Sequence, residues 1–176
     1  MGKVILYIAI TKDGFIAKKN GSVDFLSEFS HLESGFDEFY QSVGSLLMGG
    51  GTFRHIIETE KNWPYEKPTF VVTKTGLVED IPNNNNVSYI DFLKVKSQIK
   101  KLQESQKEIW LVGGAKLFQS LHKHKLVDEI YLTIVPINLG EGISLFDESS
   151  KINSQLTKIK RYPGGIEENR YKLIYL

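Results

Sequence analysis

The sequence predicts an α/β domain built on a mainly parallel β-sheet that helices cover on both faces. Short apolar runs rich in β-branched and aromatic residues, such as VILYIAI, alternate along the chain with stretches of helical spacing. Two of these runs pass directly into glycines and then into a helical pattern, as the βα units of a parallel sheet do. The alternating stretches QLTKIKRY and RYKLIYL near the end predict an antiparallel hairpin, which makes the sheet mixed.

The start of the chain predicts one strand, one long loop and one helix. The strand covers Lys3 to Ile10, and the loop after it contains Asp-Gly and Asn-Gly turn pairs. A helix is expected from about Ser30 to Val43, because apolar residues share one face there. Ser30 and Glu33 form a capping-box pattern, while Gly35 weakens the helix.

The middle of the chain supplies the other strands of the parallel part. They are expected at Ser45–Met48, Thr69–Thr73, Val87–Ile90, in EIWLV and at Glu129–Ile137. Helices are expected after MGGG, in FLKVKSQIKKLQES with Asp91 as its cap, and after the second glycine pair to about His122. The run IPNNNN predicts a loop.

Composition limits the function. The 176 residues suit one domain over 1–176, and the 22 basic and 21 acidic side chains nearly cancel, which gives no argument for nucleic acid or an anionic membrane. Apolar runs too short to span a bilayer, with no cleavage site after the first, predict a cytoplasmic protein. Without cysteine, disulfides and thiolate chemistry are excluded. No metal site is expected, and His122 and His124 are interpreted as a surface cluster at a helix end.

The two strand–glycine–helix junctions, LLMGGGTF and WLVGGAKLF, have two interpretations. In a parallel sheet both lie at the carboxyl edge, where glycine lets the backbone approach a phosphate and a helix N-terminus offers free N–H groups. One anionic ligand could therefore contact both junctions. They could equally be tight turns, since neither the GxGxxG nor the GxxxxGK[ST] pattern is present.

Five segments in order resemble the dihydrofolate reductase-like superfamily: VILYIAITKDGFIA, SLLMGGGTFRHI, PTFVVTKTG, EIWLVGGAKLFQSL and VDEIYLTIVPINLGEG. The resemblance is greatest to the reductase domain of the riboflavin-pathway deaminase/reductase and to its stand-alone bacterial relatives. It implies a three-layer, doubly wound sheet of about eight strands, a homodimer and an NADPH-dependent reductase. The acceptor would be a small heteroaromatic ring, of the pterin or pyrimidine kind.

The resemblance also implies a cofactor site. Gly113-Gly114 would lie against the pyrophosphate, often with a cis peptide bond, and Thr52 would cap its helix and donate to a phosphate. Many members carry an arginine where this chain has Gly50, so Lys74 or Arg54 would have to bind the 2′-phosphate, and NADH is not excluded. The implied cofactor residues are Ile16, Ala17, Gly49, Gly50, Gly51, Thr52, Thr73, Lys74, Gly113, Gly114, Ala115, Lys116, Leu117 and Phe118.

On the acceptor side, the resemblance implies a carboxylate that anchors the ring, and Asp24 is the candidate catalytic and substrate-binding residue. Asp24 could orient a ring N–H, relay a proton, or simply cap the next helix. Ala9 and Thr133 are the other expected substrate-side residues, although Thr133 could be ordinary packing. Trp63-Pro64-Tyr65 could form a wall of the cleft.

Two other functions remain open from the sequence. The first is a nucleotide-binding module of the same fold that turns nothing over, because no clear catalytic acid is evident. The second is a flavin-binding, flavodoxin-like domain, which ranks last because TKDG offers one threonine where a hydroxyl-rich phosphate loop would be needed.

Overall fold

The computed structural model describes residues 1–32, 34–74, 86–146 and 152–175. The strands in these ranges are β1 (Val4–Thr11), β2 (Phe15–Ala17), β3 (Val43–Gly49), β4 (Thr69–Thr73), β5 (Val87–Asp91), β6 (Glu108–Gly113), β7 (Glu129–Val135), β8 (Ile143–Ser144), β9 (Ser154–Arg161) and β10 (Glu167–Leu173). The α-helices are α1 (Phe36–Ser42), α2 (Gly50–Thr59), α3 (Val95–Gln103) and α4 (Ala115–Lys123). Short 3₁₀ turns cover Asp24–Phe29, Phe92–Lys94 and Pro163–Gly165.

Eight strands form one sheet in the order β5-β4-β3-β6-β1-β7-β10-β9. The first six in this order pair in parallel, and β10 pairs antiparallel with both β7 and β9. The predicted mixed sheet of eight strands with a C-terminal antiparallel pair is therefore confirmed. Because β1 is central, its carboxyl end lies beside those of β6 and β7.

Each face of the sheet has its own hydrophobic core. Alternate residues of β1 point to opposite faces, so Leu6 packs with α3 and α4 while Ile5 packs with α1 and α2. The helices contribute, for example, Phe118 from α4 and Phe53 from α2. Burial on both faces is the reason that the parallel strands are continuous apolar runs rather than alternating ones.

The first helix is shorter than the sequence predicts. Helix α1 begins after Gly35, which stands at the N-cap position without a capping side chain, while Ser30 ends the preceding 3₁₀ turn. A side chain at Gly35 would lie 2.4 Å from Glu168 Oε2, which explains why this position is glycine, and its ψ of 5° is not helical. Val43 already has extended backbone and starts β3. Glu33, the second half of the predicted capping box, lies outside the described residues.

The loop after β1 is also more ordered than the sequence predicts. It contains β2, which pairs with β8, a strand 126 residues further on that the sequence did not reveal. The link is Asp13, whose carboxylate accepts hydrogen bonds from the Thr11 hydroxyl at 2.5 Å and from the N–H groups of Leu139 and Gly140 at 3.2 and 2.7 Å. These hydrogen bonds lower the pKa of Asp13, and the bond from the Thr11 hydroxyl has the largest effect.

Other boundaries agree more closely. Asp91 accepts a hydrogen bond from the N–H of Leu93 at 2.7 Å, so its predicted role as a cap is confirmed. Strand β7 ends at Val135 instead of Ile137. The predicted loop IPNNNN falls on residues 81–86, of which Asn86 alone is among the described residues.

Candidate active site

A cleft with a volume of about 1620 Å³ opens at the carboxyl edge of the parallel strands. It exceeds the roughly 300–1,000 Å³ of ordinary small-molecule sites, so it has room for a dinucleotide and a second molecule. Ala9 lines it, together with thirteen of the fourteen expected cofactor residues: Ile16, Ala17, Gly49, Gly50, Gly51, Thr52, Thr73, Lys74, Gly113, Gly114, Ala115, Lys116 and Leu117. The fold therefore places in one cleft nearly all the residues that the resemblance implied for the cofactor site.

Phe118 is the exception among the expected cofactor residues. Its side chain is fully buried in the core between α4 and the sheet, and it does not line the cleft. The reason is helical periodicity, since Phe118 and Leu121 lie on the inward face of α4 while the preceding residues face the cleft.

Helices α2 and α4 both begin at the cleft without a capping side chain. Their N-cap residues are Gly49 and Gly114, neither of which has a side chain to offer. The prediction that Thr52 caps α2 is wrong, because Thr52 already lies inside the first helical turn. Among the described residues, no side chain caps the first-turn N–H groups of either helix, and each helix start carries a partial positive charge.

The two junctions are packed against each other. Gly113 and Gly114 have φ values of +152° and +97°, which L side chains rarely adopt. A side chain at Gly114 would lie 3.3 Å from Thr52 Oγ1 and 4.0 Å from the Cα of Gly49. The expected cis bond at Gly113-Gly114 is wrong, as no peptide bond in the described ranges is cis, and the positive φ angles make the turn instead.

Positive charge is concentrated in the cleft. The basic side chains of Arg54, Lys74, Lys116 and Lys123 line it, and the carboxylate among the described lining residues is that of Glu58. The whole chain has a net charge of only +1, so this excess is local. Such a cleft favours an anionic ligand.

Arg54 lies next to the position where a side chain is missing. Its Nη1 atom is 3.8 Å from the point that a Cβ atom of Gly50 would occupy. The guanidinium, which starts one helical turn further along α2, thus reaches back over the glycine loop.

The cleft has two halves, which belong to the two cores. Ile16 and Leu117 pack in the core of α3 and α4, and the side of the cleft that they line is called the α4 half. Ile56, Tyr65 and Val112 pack in the core of α1 and α2, and their side is called the α2 half. A ligand that spans the cleft crosses the edge of the sheet where the glycine junctions meet.

The structure does not bring Asp24 to the cleft. Its side chain is 63% exposed and forms an ion pair with Lys18 at 2.7 Å, while the nearby Val23 and Leu26 do line the cleft. The pKa of Asp24 is lowered, mainly by the hydrogen bond from Lys18, so the Asp24 carboxyl group is ionised near neutral pH. It is not a helix cap either, since the 3₁₀ turn that it starts has Val23 at its N-cap.

Thr133 is also outside the cleft. It is buried, and its hydroxyl lies near that of Tyr7 without forming a hydrogen bond of acceptable geometry. In the sheet it is the register partner of Ala9, which does line the cleft. Thr133 therefore lies one strand beyond the cleft wall.

Of the predicted wall Trp63-Pro64-Tyr65, Tyr65 lines the cleft but Trp63 and Pro64 do not. His122, interpreted as part of a surface cluster, lines the α4 half and packs against Phe118 and Tyr175, and burial lowers its pKa. Its position one residue after Leu121 on an amphipathic helix was the available signal, since that places it at the border of the buried face.

The described residues contain neither a membrane-spanning helix nor a group of metal ligands. No helix in the described ranges is long and apolar enough to span a membrane. In the same ranges, no three His, Asp or Glu side chains are grouped as a metal site would require.

A comparison with known protein families shows which family the chain belongs to. Residues 2–167 match the model of the RibD C-terminal domain. The chain belongs to the RibD C-terminal domain family. The chain is also 36% identical to the uncharacterized protein YwjB of Bacillus subtilis strain 168 over 147 residues, which cover 83% of each chain.

Solved structures agree with this membership. A proposed riboflavin biosynthesis protein from Shewanella sp. PV-4 superposes with a TM-score of 0.85 at 28% identity, covering 98% of this chain and 99% of the other. The dihydrofolate reductase of Enterococcus faecalis, complexed with NADP(H), superposes with a TM-score of 0.63 at 16% identity over 98% and 96% of the two chains. At that identity the second match shows the fold alone, and the fold is the dihydrofolate reductase-like one.

Proposed function

We propose that this member of the RibD C-terminal domain family is a reductase that binds NADPH and transfers a hydride to a small heteroaromatic ring. One observation carries the proposal: two helix N-termini without capping side chains meet at the glycine junctions inside a cleft lined by basic residues. A dinucleotide with a pyrophosphate and a third phosphate has the size and charge that this cleft favours. NADPH supplies the hydride when it is bound.

The chain's own groups fit this cofactor. The first-turn N–H groups of α2 and α4 would bind the pyrophosphate, with Thr52 between the two helices. Because Gly114 has no side chain, the phosphates can approach the backbone closely. Arg54 and Lys74 would bind the 2′-phosphate, and Ala9 and Ile16 would flank the nicotinamide through apolar contacts.

The proton for the second acceptor atom would come from solvent. Asp24 is outside the cleft and ionised, and the lining carboxylate, Glu58, is exposed and so is not set up as a buried acid. Water can enter because the cleft is open. In this mechanism the protein contributes position and electrostatics, and the cofactor contributes the reaction.

The first test is a parallel titration with NADPH and NADH, followed by tryptophan fluorescence. Trp110 reports on the cleft because its ring contacts that of the lining residue Tyr65, with centroids 5.4 Å apart. We expect tighter binding of NADPH, and oxidation of bound NADPH when a pterin or pyrimidine acceptor is added. Binding without turnover across such acceptors would favour the inactive nucleotide-binding module, and no binding of either nucleotide would exclude both functions.

A homodimer and a cytoplasmic location are further proposals. Support for the homodimer comes from β9, an edge strand that pairs with β10 alone in the described chain and exposes Leu156 and Ile159 by 46% and 45%. Light scattering of the purified protein tests the dimer. The cytoplasmic location is tested by fractionating cells of the source organism.

A further inference from the structure

We propose that the hydroxyl of Tyr65 orients the acceptor ring in the α2 half of the cleft by donating a hydrogen bond to a ring carbonyl oxygen. This inference rests on the proposed reductase function and deepens it, because it names the chemical class of the acceptor. A ring with a carbonyl at that position is favoured over the same ring with only hydrogen there.

The position of Tyr65 is fixed by its neighbours. It lies in the α2 half with Ile56 and Val112, on the face of the sheet covered by α1 and α2. Three aromatic rings meet there. The ring centroid of Tyr65 is 5.4 Å from that of Trp63 and 5.4 Å from that of Trp110, and the plane of the Tyr65 ring is nearly perpendicular to both indole planes. Such packing leaves the phenol few rotamers and directs its hydroxyl.

The hydroxyl is available as a donor. Among the residues that the structure describes, none forms a hydrogen bond with it, although the ring is partly buried and its side chain lines the cleft. Burial is the first cause that raises the pKa of Tyr65 to about 12, so the phenol keeps its proton across the physiological range. A protonated phenol beside apolar walls provides one O–H donor, and its oxygen can also accept a hydrogen bond.

The apolar residues that share the α2 half with Tyr65 offer nothing to a polar ring atom. Ile56 and Val112 pack in the same core as Tyr65, and they suit the face of a flat ring. The ionisable side chains of α2 that line the cleft, Arg54, His55 and Glu58, are at least partly exposed, so water competes for them. A carbonyl oxygen that entered this half without the Tyr65 hydroxyl would lose its hydrogen bonds to water without replacement.

Two ring probes that differ in one group test the inference. Pterin carries a carbonyl at C4, and 2-aminopteridine carries only hydrogen there. Their dissociation constants are measured on the NADPH complex of the wild type, of Tyr65→Phe and of Tyr40→Phe. Tyr40 is the matched control, because its hydroxyl is buried without a hydrogen-bond partner in the same core but does not line the cleft.

We expect the wild type to bind pterin more tightly than 2-aminopteridine, and Tyr65→Phe to weaken pterin binding by about 3- to 10-fold, the effect of one hydrogen bond. Binding of 2-aminopteridine should hardly change, and Tyr40→Phe should leave both constants unchanged. Equal binding of both rings by the wild type, an unchanged pterin constant in Tyr65→Phe, or no binding of either ring would overturn the inference. Failure of NADPH itself to bind would instead reject the proposed function.

Discussion

The hydroxyl of Tyr7 in β1 donates a hydrogen bond to the carboxylate of Glu168 in β10 at 2.8 Å and so joins these two strands. β7 lies between these strands, and the bond passes across it. The other carboxylate oxygen of Glu168 accepts a bond from Nε of Arg170 at 2.6 Å, and the guanidinium lies 4.4 Å from the ring centroid of Tyr131. Glu168 is fully buried, so its charge depends on these two donors.

The first prediction concerns this buried charge. Glu168→Gln should lower the free energy of unfolding by about 2–4 kcal/mol, because it leaves the largely buried guanidinium of Arg170 without its counter-charge. Urea denaturation measures the loss. The adjacent Glu167→Gln is the control, since its ion pair with the exposed Arg161 should contribute less than about 1 kcal/mol. Similar losses in the two variants would contradict the prediction.

The second prediction concerns the glycine junction. Gly114→Ala should lower stability by about 1–2 kcal/mol through its positive φ, and should also weaken NADPH binding at least about tenfold by crowding Thr52. Thermal unfolding and nucleotide titration measure the two effects. Gly140→Ala has a similar φ, +76°, but meets nothing within 4 Å and lies outside the cleft. It should cost comparable stability and leave binding unchanged. If it weakens binding equally, the effect is not local to the junction.

The third prediction concerns nucleotide preference. Arg54→Gln should weaken NADPH binding by about 10-fold and leave NADH binding unchanged, because a guanidinium bound to a 2′-phosphate makes a charge-assisted contact. Lys74→Gln, tested in parallel, divides the contribution between the two cations. The control is Arg161→Gln, on the exposed edge of the sheet. Equal weakening of NADPH and NADH would assign Arg54 to another part of the ligand.

The fourth prediction concerns Asp24, the carboxylate that the resemblance pointed to. Asp24→Asn removes an exposed ion pair with Lys18, so turnover, its pH profile and stability should all stay close to those of the wild type. Steady-state kinetics from pH 5 to 9 are the measurement. A large fall in kcat with unchanged NADPH binding would instead mean that the 3₁₀ turn moves and carries Asp24 into the cleft when an acceptor binds.

The sheet could be predicted because its signals are local. An apolar run buried on both faces, followed by glycine and a helical pattern, needs no distant partner to be recognised. The cofactor residues came together for the same reason, since all parallel strands end at one edge. The resemblance named these residues, and thirteen of them line the cleft, most of them at the carboxyl ends of the parallel strands or the helix starts that follow.

What could not be predicted depends on contacts between distant segments. Gly35 lies beside the Glu168 carboxylate, which leaves no room for a side chain there, and helix α1 begins only after this glycine. β2 and β8 are too short to show periodicity, and Asp13 holds them together through residues of the loop after β7. Side-chain direction was also beyond the sequence, and so Tyr65 was recognised only as one residue of a possible wall.

The central place of β1 has a consequence for how the protein is made. Ile5 pairs with Trp110 on one side and with Glu129 on the other, so β1 has no native sheet partner until more than a hundred further residues have been synthesised. At about 5–20 residues per second, β1 waits for roughly 5–20 s. During that time its apolar residues and free backbone groups are open to pairing with other chains. Such a nascent chain should depend on holding chaperones, and the purified protein should refold slowly, with aggregation that rises with concentration.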